Sequence, residues 1–283
     1  MDKKTEDRKS DHSRSQGSLC IVGIGPGSLE HLTFKAKEAL EKCDVVVGYK
    51  TYIDLIKSLI QGKEIFSTGM TKEVDRCRKA IELASQGKKV AVVSSGDAGI
   101  YGMAGLVYEL LRVQDSRFKI QGSRHDEKKR TCNLQLATCN LTIEVIPGVP
   151  AFCAAASLLG APLMHDFASI SLSDLLTAWE TIKKRLKAAA EGDFVIILYN
   201  PKSKTRVFQL KEAIDIIATQ RSNSTPVGIV KNATRDGEEI KITALKELPA
   251  HYDFIDMTTI VIIGNSATFI SDSKMITPRG YNV

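Results

Sequence analysis

Residues 19–33, LCIVGIGPGSLEHLT, begin like a dinucleotide-binding fingerprint and then depart from it. An apolar strand runs into a glycine-rich turn, and Thr33 is placed to cap a following helix. The fingerprint G-x-G-x-x-G requires a third glycine, but Ser28 stands at that position. Pro26 also removes a backbone N–H that such a turn would donate to a pyrophosphate. The stretch therefore predicts a strand, a tight loop and a helix, and it argues against a nicotinamide-dependent oxidoreductase.

The composition is typical of a soluble globular protein. The 283 residues are 43% hydrophobic and 25% charged, and they suffice for one large domain or two ordinary ones. No apolar run approaches the roughly 18 residues of a membrane helix, so we expect no membrane partner. Residues 1–17 contain no apolar stretch, which predicts a disordered, solvated tail rather than a signal peptide.

Cysteine spacing indicates the state of the thiols, and net charge indicates the class of ligand. The six cysteines form no C-x-x-C pair, and four of them lie among apolar residues, which favours buried free thiols in a reducing, cytoplasmic compartment. No metal site is expected, although a metal or redox role stays open for Cys132 and Cys139. The net charge of +6 is too weak and too scattered to indicate nucleic acid, but it suits an anionic small molecule.

Apolar runs alternate with helical patterns, which predicts an α/β fold with largely parallel sheets. Strands are expected at 19–24, 44–48, 89–94, 142–146, 167–172, 193–199, 225–230 and 258–263. Helices are expected at 73–87 with Val74, Cys77, Ile81 and Ala84 on one face, at 173–192 from a Ser173 cap, and at 204–220 with Val207, Leu210, Ile214 and Ile217 on one face. Short strands near the end, around EEIKIT, predict an antiparallel component.

Glycine, proline and polar residues divide the chain. The polar segment 114–140 interrupts the alternation and predicts a surface excursion. Gly160 and Pro162 interrupt the pattern again, which places a domain boundary there. We therefore expect a tail at 1–17, an N-terminal α/β domain at 18–162 and a C-terminal α/β domain at 163–283.

Four loops at predicted strand ends carry polar residues of the kind that bind ligands. They are VVSSGDAGIYGMAG (92–105), VIPGVPAFCAAASLLGAP (145–162), HDFASISLSDL (165–175) and FVIILYNPKSKTR (194–206). In the last, Lys202, Lys204 and Arg206 are expected to open a helix, where they oppose its macrodipole and favour an anionic partner. Structural alternatives stay open: Asp97 as a turn cap, His165 and Asp166 as a structural pair, and the lysines as a solvated surface.

Three motifs in the correct order resemble the tetrapyrrole (corrin and porphyrin) methylase family. The family pattern G-x-G-P-G-[SD]-x-x-x-L-T is met by GIGPGSLEHLT (23–33), and its Ser-Gly-Asp loop with Tyr-Gly by SGDAGIYG (95–102). Its Pro-Gly-[VI]-[ST]-Ala is met by PGVPA (147–151), except that Pro150 replaces the hydroxyl residue. VVVGYKTYIDLI (45–56), HDFASISLSDLLTAWE (165–180) and LYNPKSKTR are similar to the precorrin-3B C17-methyltransferase branch of cobalamin biosynthesis.

The resemblance implies two α/β domains with a cofactor cleft between them. It implies S-adenosylmethionine as the cofactor, and methyl transfer to C17 of precorrin-3B or cobalt-factor III with ring contraction. The implied cofactor-binding positions are Pro26, Gly96, Asp97, Ala98, Ile100, Tyr101, Ala151, Asn200, Ala233 and Thr259. It also implies a cytoplasmic homodimer that binds no nucleic acid.

The resemblance also implies an anionic tetrapyrrole substrate, whose acetate and propionate arms suit the positive charge. Substrate-binding candidates are Gly25, Gly27, Lys202, Lys204 and Arg206. Ring contraction requires a general acid or base, for which the candidates are Asp97, His165, Asp166 and Asp174. Two alternatives keep the fold and change the substrate: another tetrapyrrole position, or RNA or protein.

Overall fold

The computed structural model describes residues 16–121 and 141–282, which form two compact units. Of the described residues, unit 1 contains 16–24, 33–121 and 141–148, and unit 2 contains 25–32 and 149–282. Both units combine a sheet with helices, so the expected pair of α/β domains is confirmed.

Unit 1 is built on a five-stranded parallel sheet of order β3-β2-β4-β1-β5. The strands are β1 (Ser18–Gly23), β2 (Val45–Tyr49), β3 (Glu64–Thr68), β4 (Lys89–Ser94) and β5 (Thr142–Ile146). The helices are α1 (Phe34–Lys42), α2 (Lys50–Leu55), α3 (Glu73–Ser85) and α4 (Ala104–Gln121), with a 3-10 helix at Lys57–Leu59. Because the strands are parallel, the loops after β1, β4 and β5 leave the same edge of the sheet as neighbours.

Unit 2 contains a five-stranded sheet of order β10-β9-β11-β8-β7, in which only β7 and β8 pair in parallel. The strands are β7 (Phe167–Ser171), β8 (Val195–Tyr199), β9 (Pro226–Lys231), β10 (Glu239–Ala244) and β11 (Thr259–Ile263). A small sheet joins β6 (Gly160–Ala161), β12 (Phe269–Ser271) and β13 (Lys274–Ile276). The helices are α5 (Ala151–Leu159), α6 (Trp179–Glu191) and α7 (Gln209–Ala218), with 3-10 helices at Leu29–His31 and Leu245–His251.

The eight predicted strands are all present; six of them are largely buried, while β5 and β7 are half-buried strands at the margins of their sheets. The prediction of largely parallel sheets holds for unit 1 and is wrong for unit 2, where the expected antiparallel component dominates. Strand β3 was not predicted, since most of its side chains are exposed and it has no apolar run to mark it. Among the described helices, none has the length and hydropathy that crossing a membrane requires.

Two of the three predicted helices begin later than expected. Helix α6 begins at Trp179 rather than after Ser173, and α7 begins at Gln209 rather than near Lys204. Within the predicted faces, Val74 and Val207 are exposed, while the other members are buried. The spacing of apolar residues therefore predicted the correct buried faces, but it included one exposed residue at the amino end of each of these two faces.

The division between the units differs from the expected boundary at 162/163, because it falls after Gly148. Helix α5 packs on β9 and β11 of unit 2, with Leu159 against Gly228. At the other end, Gly17 was expected in the tail, but its carbonyl accepts the Thr142 N–H at 3.4 Å. Residues 114–121, expected in the excursion, continue α4, whereas 1–15 and 122–140, with Cys132 and Cys139, lie outside the described residues.

Candidate active site

Three strand-end loops of unit 1 meet through backbone atoms. They follow β1 at Gly23, β4 at Gly96 and β5 at Gly148. A Cβ added to Gly148 would lie 2.2 Å from the Gly96 carbonyl oxygen and 2.6 Å from the Gly23 carbonyl carbon. The glycines therefore permit a close approach of three backbones. This requirement explains why the glycine spacing resembles that of a nucleotide-binding loop.

The carboxylate of Asp97 joins two of these loops. Its Oδ1 accepts the Gly99 N–H at 2.8 Å, and its Oδ2 accepts the Gly148 N–H at 3.0 Å. The first bond closes a turn, as the structural alternative predicted, and the second fixes the loop after β5 against the loop after β4. Because both oxygens already accept backbone donors, the geometry favours a positioning role for Asp97 over proton transfer.

The other candidate residues of this loop lie beside Asp97 but differ in exposure. Ala98 is buried, Ile100 is half-buried, and the ring of Tyr101 is 53% exposed. Tyr101 has a φ of 54°, in the left-handed region that non-glycine residues rarely adopt. Strain of this kind concentrates at functional sites, where the surrounding structure maintains it.

One edge of the large sheet in unit 2 collects most of the remaining candidates. The loops after β7, β8 and β9 and the segment before β11 all lie at this edge, because β11 runs antiparallel to both β8 and β9. Asp174, Asn200 and Ala233 belong to these loops, and Thr259 is the first residue of β11. The sequence could not place them together, since strand order is set by pairing between distant residues.

The loop Gly25–Leu32 is held at residues 234–235 of the same unit. The Arg235 guanidinium donates from Nε to the Pro26 carbonyl at 2.5 Å, and the Ser28 N–H donates to Thr234 Oγ1 at 3.4 Å. A Cβ on Gly27 would lie 2.3 Å from Arg235 Cγ. The sequence did not predict that Arg235 and Thr234 position this loop. Nothing in the local sequence indicates that Thr234 has a φ of 61°.

The three cations after β8 do not open a helix, so that expectation is wrong. They lie on the irregular segment before α7. Lys202 donates to the Tyr252 carbonyl at 2.7 Å, while Lys204 is exposed. Arg206 is only 9% exposed, and its Nη2 donates to the Asn200 carbonyl at 2.8 Å. Burial lowers the pKa of Arg206.

His165 and Asp166 lie at the opposite edge of the same sheet from Asp174 and Asn200. They precede β7, whose five residues span about 17 Å at roughly 3.3 Å each. The Asp166 N–H donates to His165 Nδ1 at 2.8 Å. The structure therefore separates these two candidates from the other candidates of unit 2 and supports the structural alternative for the pair.

Tyr199 supplies the hydroxyl that Pro150 lacks. Pro150 is the N-cap of α5 and offers no side-chain acceptor, but the Tyr199 hydroxyl accepts the Phe152 N–H at 3.2 Å. This N–H is one of the first-turn donors that a helix leaves without a partner. The Tyr199 hydroxyl, at the end of β8, thus replaces the side-chain cap that Pro150 cannot provide. It does so beside the candidate residue Ala151.

The described cysteines do not form a reactive site. Cys43 and Cys77 are buried, and burial raises the pKa of each thiol to about 11. Such thiols stay protonated and weakly nucleophilic at neutral pH. The expectation of burial is wrong for Cys153, which is exposed on α5, because that helix turns this position to solvent.

Comparison with known proteins identifies the family. Residues 18–121 and 130–249 match the sequence model of the Tetrapyrrole (Corrin/Porphyrin) Methylases. The chain belongs to this family. The match spans both units of the methylase, and it confirms the resemblance predicted from the three glycine-containing motifs.

Two curated relatives cover most of this methylase. The "Cobalt-factor III methyltransferase" of Priestia megaterium is 51% identical over 94% of the chain, which spans 45% of that protein's length. The "Probable cobalt-factor III C(17)-methyltransferase" of Salmonella typhimurium is 48% identical over 94% of the chain and 100% of that protein. The crystal structure of the methyltransferase CobJ superposes with a TM-score of 0.80 at 32% identity, covering 93% of this chain and all of that one.

We expect Gly148→Ala to destabilise the methylase by at least ~2 kcal/mol, because its Cβ meets backbone that cannot rotate away. Gly105→Ala is the matched control, since nothing lies within 4 Å of its Cβ in α4 and alanine raises helix propensity. Urea unfolding followed by circular dichroism measures both. Equal midpoints for the two variants would show that the junction yields to a methyl group.

We expect Tyr199→Phe to lower the free energy of unfolding by about 1 kcal/mol, because the Phe152 N–H loses its acceptor. Pro150→Ser should recover part of this loss in the Tyr199→Phe background and should recover none in the parent. The double-mutant cycle, measured by urea unfolding, isolates the shared cap. If Pro150→Ser has the same effect in both backgrounds, the tyrosine does not serve as the cap.

Proposed function

We propose that this methylase transfers a methyl group from S-adenosylmethionine to C17 of cobalt-factor III, with ring contraction, in cobalamin biosynthesis. The observation that carries the proposal is the family match across both units, joined to two curated relatives at 51% and 48% identity whose names specify cobalt-factor III. The names favour the cobalt-loaded ring over metal-free precorrin-3B. We include in the proposal a cytoplasmic homodimer that binds no nucleic acid, as the family resemblance implies.

The residues present fit the proposed methyl donor by their chemistry. The candidate positions in unit 1 offer backbone groups beside small residues and the half-exposed ring of Tyr101. Those in unit 2 include the backbone of Asn200 and of Ala233. Apart from Asp97, whose carboxylate accepts two backbone N–H groups, these positions are uncharged, which suits a nucleoside joined to a zwitterionic amino acid. When bound, S-adenosylmethionine supplies a methyl group on a sulfonium, which needs no activation by the protein.

The chain's own contribution to methyl transfer is to orient the substrate. Rigid strand-end loops serve this purpose, because correct alignment lowers a barrier by about 7–11 kcal/mol without a covalent nucleophile. In unit 1 the rigidity comes from the backbone junction and the Asp97 bridge. In unit 2 it comes from the loop Gly25–Leu32 fixed by Arg235.

Ring contraction requires proton transfer, and we propose Asp174 for this role. Asp97 has both oxygens occupied by backbone donors, and His165 and Asp166 lie at the other edge of the sheet. Asp174 is exposed, and its Oδ2 accepts Gln209 Nε2 at 2.9 Å, which orients the carboxylate. Within the described part of the chain, no hydrogen bond of its other oxygen is found, so that oxygen can hold a proton or accept one from the substrate.

The central test is incubation of the pure protein with S-adenosylmethionine labelled in its methyl group. We expect label in cobalt-factor III, with less in precorrin-3B, and inhibition by S-adenosylhomocysteine. Ribosomal RNA and a protein extract serve as competing substrates at physiological salt. Label in RNA or protein, with none in either tetrapyrrole, would contradict the proposal.

We expect Asp174→Asn to lower turnover about 10²-fold or more, because the amide cannot exchange the proton. Affinity for S-adenosylhomocysteine and the melting temperature should not change. Asp215→Asn, at an exposed carboxylate on α7, is the matched control. Single-turnover kinetics with cobalt-factor III measures the effect. Parent-like turnover in the Asp174 variant would contradict this assignment and would leave Asp97 as the candidate acid or base.

A further inference from the structure

On two neighbouring loops of unit 2, apolar side chains are exposed to solvent while polar side chains beside them are buried. On the segments after β7 and β8, four apolar side chains face solvent. They are Leu176 at 95% exposure, Leu175 at 75%, Phe208 at 59% and Val207 at 56%, and we call them the apolar patch. Arg206, on the segment after β8, and Gln209, the first residue of α7, are only 9% and 4% exposed. Folding stability by itself favours the reverse arrangement, so a ligand explains it better.

The two loops are bound together by the buried polar residues. Arg206 donates from Nη1 to Ser173 Oγ at 3.5 Å, and Gln209 Nε2 donates to Asp174 Oδ2 at 2.9 Å. Arg206 Nη2 also lies 3.3 Å from the sulfur of Met257, another exposed apolar side chain. These contacts join the segment that carries Leu175 and Leu176 to the segment that carries Val207 and Phe208.

Two buried polar atoms within this network have no protein partner among the described residues. They are Nε of Arg206, a donor, and Oε1 of Gln209, an acceptor. Buried donors and acceptors in native proteins are nearly always paired, so an exception calls for water or a ligand group. A donor and an acceptor under an apolar surface suit a ligand that combines an apolar face with polar substituents.

The charge around the patch selects among such ligands. The two segments, 172–178 and 199–208, carry Lys202, Lys204 and Arg206 against the carboxylate of Asp174, and Lys202 Nζ also lies 3.7 Å from Asp253 Oδ1. Lys204 is exposed. A large flat apolar molecule with peripheral carboxylates therefore complements both the patch and its border.

We propose that the apolar patch is the surface on which one face of the tetrapyrrole substrate rests, with Lys204 pairing to a peripheral carboxylate. This inference rests on the proposed function and extends it by assigning substrate contact to Leu175, Leu176, Val207 and Phe208. The patch then acts on substrate affinity, since its residues are apolar and take no part in proton transfer.

The test compares Leu176→Ser and Phe208→Ser with Tyr281→Ser, a control at a 75% exposed side chain of the same unit. Equilibrium titration with cobalt-factor III, followed by its visible absorbance, should show Kd raised about tenfold in each patch variant and unchanged in the control. Affinity for S-adenosylhomocysteine, measured by calorimetry, and the melting temperature should match the parent. If Phe208→Ser unfolds, Leu175→Ser provides a second patch variant, on the same loop as Leu176.

Lys204→Ala tests the charged border independently of the patch. Added salt should weaken binding of cobalt-factor III to the parent, and it should weaken binding to this variant less. An identical salt dependence in both proteins would remove Lys204 from the proposal.

Two results would overturn the assignment of the patch. The first is parent-like Kd in Leu176→Ser, Leu175→Ser and Phe208→Ser while the parent still methylates cobalt-factor III, which separates this failure from failure of the proposed function. The second is a change in sedimentation coefficient in the patch variants, which would make the patch a contact between two copies of the chain.

Discussion

Backbone contact between the ends of three parallel strands is the constraint on which unit 1 depends. Gly23, Gly96 and Gly148 approach one another more closely than any side chain permits. The carboxylate of Asp97 holds two of the loops in that position through backbone N–H groups. Glycine spacing that resembles a phosphate-binding turn therefore serves here to bring backbones together, and Pro26 is acceptable because no pyrophosphate needs its N–H.

Unit 2 achieves the same rigidity by different means. Its strand-end loops are joined by side chains, with Arg206 and Arg235 donating to the backbone carbonyls of Asn200 and Pro26. Burying a guanidinium is costly unless its donors are paired, so arginine at such positions indicates a loop whose shape matters. Leu175 and Leu176 are exposed on the loop that Arg206 contacts, which supports this interpretation, since stability by itself does not favour exposed leucine.

The sequence predicted several features of the candidate site correctly and misplaced others. Thr33 caps α1 as expected, because its Oγ1 accepts the Ala36 N–H at 3.1 Å within a local segment. Ser173 does not cap α6, which begins at Trp179, because its hydroxyl accepts from Arg206 of a distant loop instead. A serine before an apolar period satisfies the local rule for a cap, and only the neighbouring loop decides which donor it meets.

The sequence by itself determined most of the elements, the glycine motifs and the family, because apolar period and residue spacing are properties of adjacent residues. Only the tertiary structure decided where those elements place their side chains. Strand pairing places Asp174 and Asn200 at one end of the sheet, and tertiary packing buries Arg206 and brings the Tyr199 hydroxyl to the helix that Pro150 cannot cap. These outcomes depend on contacts between residues far apart in the chain, for which local sequence carries no signal.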